Sequence, residues 1–260
     1  MKRFLLTITA LVPVFGVSSV TAATIANWQE VNAGSTNSGM NTDSPTIGDG
    51  SANDADNAFV GGQFGTVGSP ESVTLAIGET LTVSGSVVLT GGAAASNPDQ
   101  FRIAVGDDGG QLALGSLAGW NSGWMFEPTD DIFQGRTDDV IISAFGNAVA
   151  LGATVTDTGG AWSANSTVAY DFSFSITRDS ATTVDLFSSV TGGDNAVNLT
   201  GTVDNVTTSA FTYTAVAFLF GNNMDLDQGS FSNVQYSVIP EPSALVLGAL
   251  GSLLILRRKR

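Results

Sequence analysis

From Val168 to Thr177 every second residue carries a large apolar side chain: Val168, Tyr170, Phe172, Phe174 and Ile176 alternate with Ala169, Asp171, Ser173, Ser175 and Thr177. Successive side chains of an extended strand leave opposite faces, so this order puts five bulky groups on one face, an arrangement a helix could not keep together. An apolar strand face has to be covered by a second layer, and the chain is thereby committed to a packed sheet. The same period recurs in Val73, Leu75 and Ile77, in Leu81, Val83, Val87 and Leu89, in Phe101, Ile103 and Val105, and in Val234, Tyr236 and Val238. Between these runs stand Gly91-Gly92, Gly106-Asp107-Asp108-Gly109-Gly110, Arg178-Asp179-Ser180 and Gly192-Gly193-Asp194-Asn195, all of them turn chemistry.

Several expectations follow for the elements. The runs on either side of Gly78-Glu79 read as a strand pair, and Arg178-Asp179-Ser180 reads as a turn from the aromatic strand into Val184-Asp185-Leu186. Phe211 to Phe220 is almost continuously apolar, as in a central strand covered on both faces. Val140 to Leu151 favours strand over helix. Residues 24 to 70, rich in Gly, Ser, Asn and Asp, read as mostly loop with one edge strand. The body is therefore expected to be all-β, an antiparallel two-sheet β-sandwich over residues 24–237.

The two ends follow a different logic. Lys2 and Arg3 precede an apolar stretch from Phe4 to Val17, and Ser18-Ser19-Val20-Thr21-Ala22-Ala23 offers small residues for cleavage, so residues 1–23 read as a secretory signal peptide. At the other end, residues 238–260 combine Pro240-Glu241-Pro242, an apolar run from Ser243 to Leu256 and the basic cluster Arg257-Arg258-Lys259-Arg260. As a helix, that run of 14 residues would span about 21 Å against a hydrocarbon core of roughly 30 Å. It is a short transmembrane span, held by cations that remain cytoplasmic and snorkel.

In its order of triplet, apolar span and arginine cluster, the tail resembles the PEP-CTERM sorting signal of Gram-negative bacteria. The resemblance covers about a tenth of the chain. It implies export across the inner membrane by the secretion machinery, with transient membrane insertion, recognition of Pro240, Glu241 and Pro242 by exosortase, and a stop-transfer role for Arg257, Arg258, Lys259 and Arg260. It also implies a final place at the cell surface or outside the cell, in contact with exopolysaccharide. The strand pattern of the body, with a late aromatic strand, a long apolar strand and the closing Phe231-Ser232-Asn233-Val234, resembles concanavalin A-like jelly rolls.

Charge limits the partners. The chain has 9 Lys and Arg against 24 Asp and Glu. Six of the cations lie in the two end segments, leaving Arg102, Arg136 and Arg178; only Glu241 of the acids lies there, so the body carries a net charge of −20. Such a surface repels phosphate backbones, and nucleic acid is not expected as a partner. With 15 Phe and 4 Trp the chain has the apolar content to fold, and with no cysteine it does so without disulfides.

Catalytic chemistry is thinly represented. The chain has no histidine, which removes Ser-His-Asp and Cys-His arrangements and histidine metal sites. A glycoside hydrolase needs two opposed carboxylates, but no Glu-x-Asp-x-x-Glu run occurs, so no catalytic residue is assigned and no enzyme is expected. The acidic turns Asp107-Asp108 and Asp225-Leu226-Asp227, with Asn53-Asp54-Ala55-Asp56-Asn57, Asp130-Asp131 and Asp138-Asp139, read either as solvated turns or as oxygen ligands for calcium, with Asp107, Asp108, Asp225 and Asp227 as the candidates. Trp120-Asn121-Ser122-Gly123-Trp124 reads either as core or as a sugar platform, in which Trp120 and Trp124 would stack on a glycan beside Asp130 or Asp131. A structural or adhesive surface protein is the first functional expectation. A carbohydrate-binding module, with or without calcium, is the alternative.

Overall fold

The computed structural model describes residues 22–31, 43–51, 55, 58–91, 101–110, 120–126, 133–136, 149–151, 154–160, 165–220 and 226–240. The described strands are β1 (Ala23–Val31), β2 (Thr46–Ile47), β3 (Phe59–Thr66), β4 (Ser69–Pro70), β5 (Val73–Thr74), β6 (Thr80–Thr90), β7 (Phe101–Asp107), β8 (Ser122–Phe126), β9 (Phe133–Arg136), β10 (Val149–Ala150), β11 (Thr154–Asp157), β12 (Tyr170–Arg178), β13 (Thr183–Gly192), β14 (Val197–Thr207), β15 (Thr212–Tyr213), β16 (Ala215–Phe220) and β17 (Gln228–Ile239). No helix occurs among the described residues, and so none there is long and apolar enough to cross a membrane. Residues 1–21 of the expected signal peptide and the tail from Glu241 to Arg260, with its short helix, lie outside the described residues, as do positions 140–148, whereas Ala23, the last residue of that expected peptide, opens β1. Pro240 follows β17 directly and is exposed.

All the pairings are antiparallel, and they form two layers joined by one strand. The first layer runs β10-β9-β8-β7-β16-β3-β1, and the second runs β1-β17-β6-β12-β13-β14-β11. β1 belongs to both: Ala23 and Thr24 pair with Tyr236 and Gln235 of β17, whereas Ile25 to Val31 pair with β3, and the register shifts between Ala26 and Gln29. Asn27 sits in that bulge at φ 53°, a left-handed conformation that asparagine tolerates better than most residues. A bulge of this kind is how one strand turns a corner between two sheets.

The aromatic strand is as expected from Tyr170 onward. β12 pairs with β6 on one side and β13 on the other, with Tyr170, Phe172, Phe174 and Ile176 all buried. Val168 corrects the pattern, being 52% exposed. The chain leaves the sheet before it, because the Val168 and Thr167 amides donate to the Asp194 carboxylate at 3.1 and 2.9 Å.

Inside the sandwich Phe218 of the first layer meets Phe172 and Phe231 of the second, with ring centroids 5.3 and 4.2 Å away, and lies 6.1 Å from Trp28. This aromatic cluster joins the sheets. β16 is buried along its whole length, as its apolar run suggested, with Val216, Phe218 and Phe220 in the main core. Ala215, Ala217 and Leu219 join Phe59, Ala104, Trp120 and Met125 in a second apolar cluster.

Three element expectations need correction. The runs around Gly78-Glu79 do not pair with each other: β5 pairs with β15, while β6 lies between β12 and β17. Ile77 is accordingly 59% exposed. Phe211 to Phe220 is not one strand, since β15 leaves to join β5 before β16 begins. Residues 24 to 70 hold two interior strands: β3 lies between β1 and β16. Its glycines suggested a loop, but a Cβ at Gly62 would stand 2.6 Å from Ile25 Cγ2 and 2.7 Å from Trp28 Cε3. Glycine is there because Trp28 occupies the space.

Candidate functional site

One end of the sandwich opens into a cleft of about 740 Å³. Its first wall comes from the junction of β7 and β8, where Asp107 and Ser122 are register partners. The Asp107 carboxylate is fixed from two directions: it accepts from the Gly109 amide at 3.0 Å and from Asn121 Nδ2 at 3.0 Å. The Asn121 amide donates to the Asp107 carbonyl at 2.8 Å. Asp107, Asn121 and Ser122 are thus held by backbone as well as by side chains, a rigid base for binding groups.

The second wall comes from much further along the chain. Thr207 to Thr212 connects β14 to β15, and with Thr182 from the β12–β13 turn it completes the lining. The Thr208 amide donates to the Thr182 carbonyl at 2.9 Å, and the Ala210 amide donates to Thr208 Oγ1 at 3.0 Å. Phe211 supplies the large apolar surface of the lining. The Arg178 guanidinium lies 3.7 Å from its ring centroid and donates through Nη1 to the Leu75 carbonyl at 2.7 Å and through Nε to the Ser180 carbonyl at 3.1 Å. Arg178 is spent on fixing Phe211 and its neighbours.

Behind the cleft, Trp124 Nε1 donates to the Tyr213 hydroxyl at 3.2 Å. Burial pushes that hydroxyl up to about 12, partly offset by the bond from Trp124.

The Trp-Asn-Ser-Gly-Trp segment therefore touches the cleft, but through different side chains from those its sequence suggested. Trp120 and Trp124 are 1% and 5% exposed, so neither presents a ring for a sugar to stack on. They also fall in different clusters, Trp124 in the main core and Trp120 in the second one. Asn121 and Ser122, between them, line the cleft.

The two aspartates of the acidic turn part company as well. Asp107 lines the cleft, whereas Asp108 is buried. Asp108 accepts from Gln63 Nε2 at 2.7 Å, from Thr214 Oγ1 at 2.6 Å and from the Gly110 amide at 3.1 Å. Gln63 in turn accepts from Asn27 Nδ2 at 2.7 Å, so the carboxylate ties the β7 end to the β1 bulge. Both its oxygens are already committed to protein donors, which is the usual condition for burying a charge. Asp227 is apart from this pair, directly before β17, its amide donating to the Thr90 carbonyl at 2.9 Å. Among the described residues no three Asp, Glu, His or Cys side chains come together in a way that could hold a metal ion. Asp225, Asp130 and Asp131 lie outside the described residues.

The residues that sequence reasoning missed are Thr182, Thr207, Thr208, Ser209, Phe211 and Thr212, along with Asn121 and Ser122 as contacts in their own right. The only trace of them in the sequence is the run Thr207-Thr208-Ser209-Ala210, which is indistinguishable from an ordinary polar connection.

No family model matches the chain, and no curated protein matches it. Solved structures do. The chain is similar to the carbohydrate recognition domain of Emp47p, at 10% identity and a TM-score of 0.43 over 87% of this chain and 99% of that one. It is similar to the lectin UEA-II, crystallised with galactose, at 9% identity and 0.44 over 85% and 98%. It is likewise similar to an endo-1,3-beta-glucanase from Streptomyces sioyaensis, at 11% and 0.42 over 89% and 100%. These are likenesses in the course of the chain, and binding proteins and an enzyme share them. They leave ligand and activity to be argued from the cleft.

Proposed function

We propose that this chain is an exported, non-enzymatic surface or matrix protein that binds carbohydrate through the cleft between Asp107–Ser122 and Thr207–Thr212. The observation that carries the reading is the lining itself: side-chain hydroxyls, one amide and one carboxylate around a single aromatic ring. Sugars present hydroxyls to accept and donate hydrogen bonds and C–H faces to pack on apolar surface, and a concave site with a few fixed polar groups suits them. The hydroxyls of Ser122, Thr182, Thr207 and Ser209 make no side-chain hydrogen bond among the described residues and are available to a ligand. A lone carboxylate among the described lining residues favours binding over hydrolysis, which uses two carboxyl groups about 5–9.5 Å apart.

Export and sorting rest on the two ends of the sequence. Signal peptide, Pro240-Glu241-Pro242, apolar span and basic cluster support passage across the inner membrane and recognition by exosortase, with exopolysaccharide as the partner at the surface. Calcium is retained only as a condition of the binding test.

The test is a glycan array probed with the exported protein, with calcium and with chelator, alongside a Thr207→Ala, Ser209→Ala double variant that removes two lining hydroxyls without touching an internal side-chain bond among the described residues. Binding by the parent that drops at least about tenfold in the variant is expected, in line with the loss of two hydrogen bonds to the ligand. Absence of binding under both conditions would leave a purely structural role. For sorting, intact mass of the exported product is compared in hosts with and without exosortase; a product retaining Arg257 to Arg260 in both would end the sorting proposal.

A further inference from the structure

The charge of the cleft selects among carbohydrates. Among the described residues its lining contains one carboxylate, Asp107, and no cation. The Arg178 guanidinium behind Phe211 is engaged with that ring and with the Leu75 and Ser180 carbonyls. Asp107 in turn is held in place by Gly109 and Asn121, so it cannot easily swing away from a ligand. A uronate or a sulfated sugar entering here would bring its negative charge toward a fixed carboxylate, with no counter-charge among the described lining residues. Like charges placed together in this way are among the strongest determinants against a wrong partner. The net −20 of the body adds a repulsive field of longer range. The volume of about 740 Å³ falls well inside the range of about 300–1,000 Å³ typical of ligand pockets, which suits a short oligosaccharide better than one sugar.

Resting on the carbohydrate reading above, we infer that the cleft takes neutral oligosaccharides and rejects uronate-containing ones, and that Asp107 is the residue that sets this selectivity. A matrix of neutral hexose chains is then its partner, and acidic matrix chains are not. The Asp107 carboxylate is an acceptor for sugar hydroxyls, with the Asn121 Oδ1 and its second Nδ2 proton beside it to complete the pattern.

The full exported protein is titrated calorimetrically with cellotriose, mannotriose and galactotriose, with tri-galacturonate, and with triglucosamine. Binding of at least one neutral trisaccharide, with tri-galacturonate about tenfold or more weaker, is the expected result. Binding of none of the five ends the carbohydrate reading itself. Tri-galacturonate binding as tightly as the neutral sugars overturns the selectivity while leaving that reading intact, and triglucosamine as the tightest ligand overturns it in favour of a cationic sugar. Asp107→Asn should narrow the neutral-to-uronate ratio at least threefold, whereas Asp157→Asn, on the distant edge strand β11, should not. Equal narrowing in both variants would assign the effect to overall charge and overturn the role of Asp107. If Asp107→Asn melts early, Asn121→Asp supplies the second arm: a second carboxylate in the lining should widen the ratio, and an unchanged ratio would count against the proposal.

Discussion

Gly193 and Gly110 are both in the left-handed region, at φ 69° and 74°, but they have different surroundings. A Cβ at Gly193 would enter the Tyr170 ring, whereas one at Gly110 has nothing within 4 Å. Gly110→Ala therefore bears only the conformational cost, about 1–2 kcal/mol, and Gly193→Ala should lose a further 1–3 kcal/mol or so from overpacking. Urea unfolding of the two variants measures the difference, and equal losses would show that Tyr170 moves aside freely. Asp194 gives a second prediction at this scale. Hydrogen bonds from the Thr167 amide and hydroxyl, followed by the Val168 amide, hold its pKa below the ordinary value of 3.8. A lowered folded pKa means the clamp contributes fully above the unfolded value and is lost as pH falls through the folded one. Asp194→Asn should therefore lower the melting temperature at pH 6, and the gap from the parent should close on acidification below the ordinary carboxylate range. A gap that stays constant down to strong acid would mean that the carboxylate's charge plays no part.

For single strands, consequence depends on which side of the sheet a residue faces. Phe218 on β16 contacts Trp28, Phe172 and Phe231 across the sandwich, while Phe187 on β13 is exposed. Phe218→Ala should cost about 3–5 kcal/mol. Phe187→Ala should stay within about 1 kcal/mol, as surface changes do. Denaturant midpoints decide this, and a large loss at Phe187 would reveal that something covers that face. β6 illustrates the same geometry from the sequence side. Leu81, Val83, Val87 and Leu89 are buried as their spacing implied, and the inward position between Val83 and Val87 falls to Gly85, where a Cβ would meet Phe172 Cζ at 2.8 Å.

The molecule as a whole should be sensitive to alkali. Burial raises Tyr213 to about 12, and burial together with the hydrogen bond to Glu71 raises Tyr236 still further. Each phenol is favoured in its neutral form by the fold, so the stability linked to it is present below the unfolded value near 10 and is lost as pH rises through the folded value. Thermal unfolding should weaken steeply between about pH 10 and 12, and Tyr213→Phe should flatten that fall. An identical alkaline profile for the variant would assign the loss to Tyr236 or to general charge repulsion. At this scale too the carboxylates are unequally placed: Asp108 ties the ends of β7 and β1 together through Gln63, while Asp107, its neighbour, is the only charged group among the described residues of the cleft.

Alternation along β6, β7, β12 and β17 was legible in the sequence because the two faces of a strand are a local property of extended backbone. The all-β architecture, the Arg178-Asp179-Ser180 turn and the burial of β16 on both faces followed from it. What neighbours a strand finds is not local. Only the folded chain decided that β5 joins β15, that the glycines of β3 make room for Trp28, and that β1 crosses from one sheet to the other at Asn27. The same holds for the cleft. Asn121 and Ser122 were picked out with their tryptophans, but which of the four side chains would face outward depended on the sheets packed against them. Thr182 and Thr207 to Thr212 gave no sign at all, since a hydroxyl in a turn becomes a binding group only when a carboxylate from a strand 75 or more residues away is brought opposite to it.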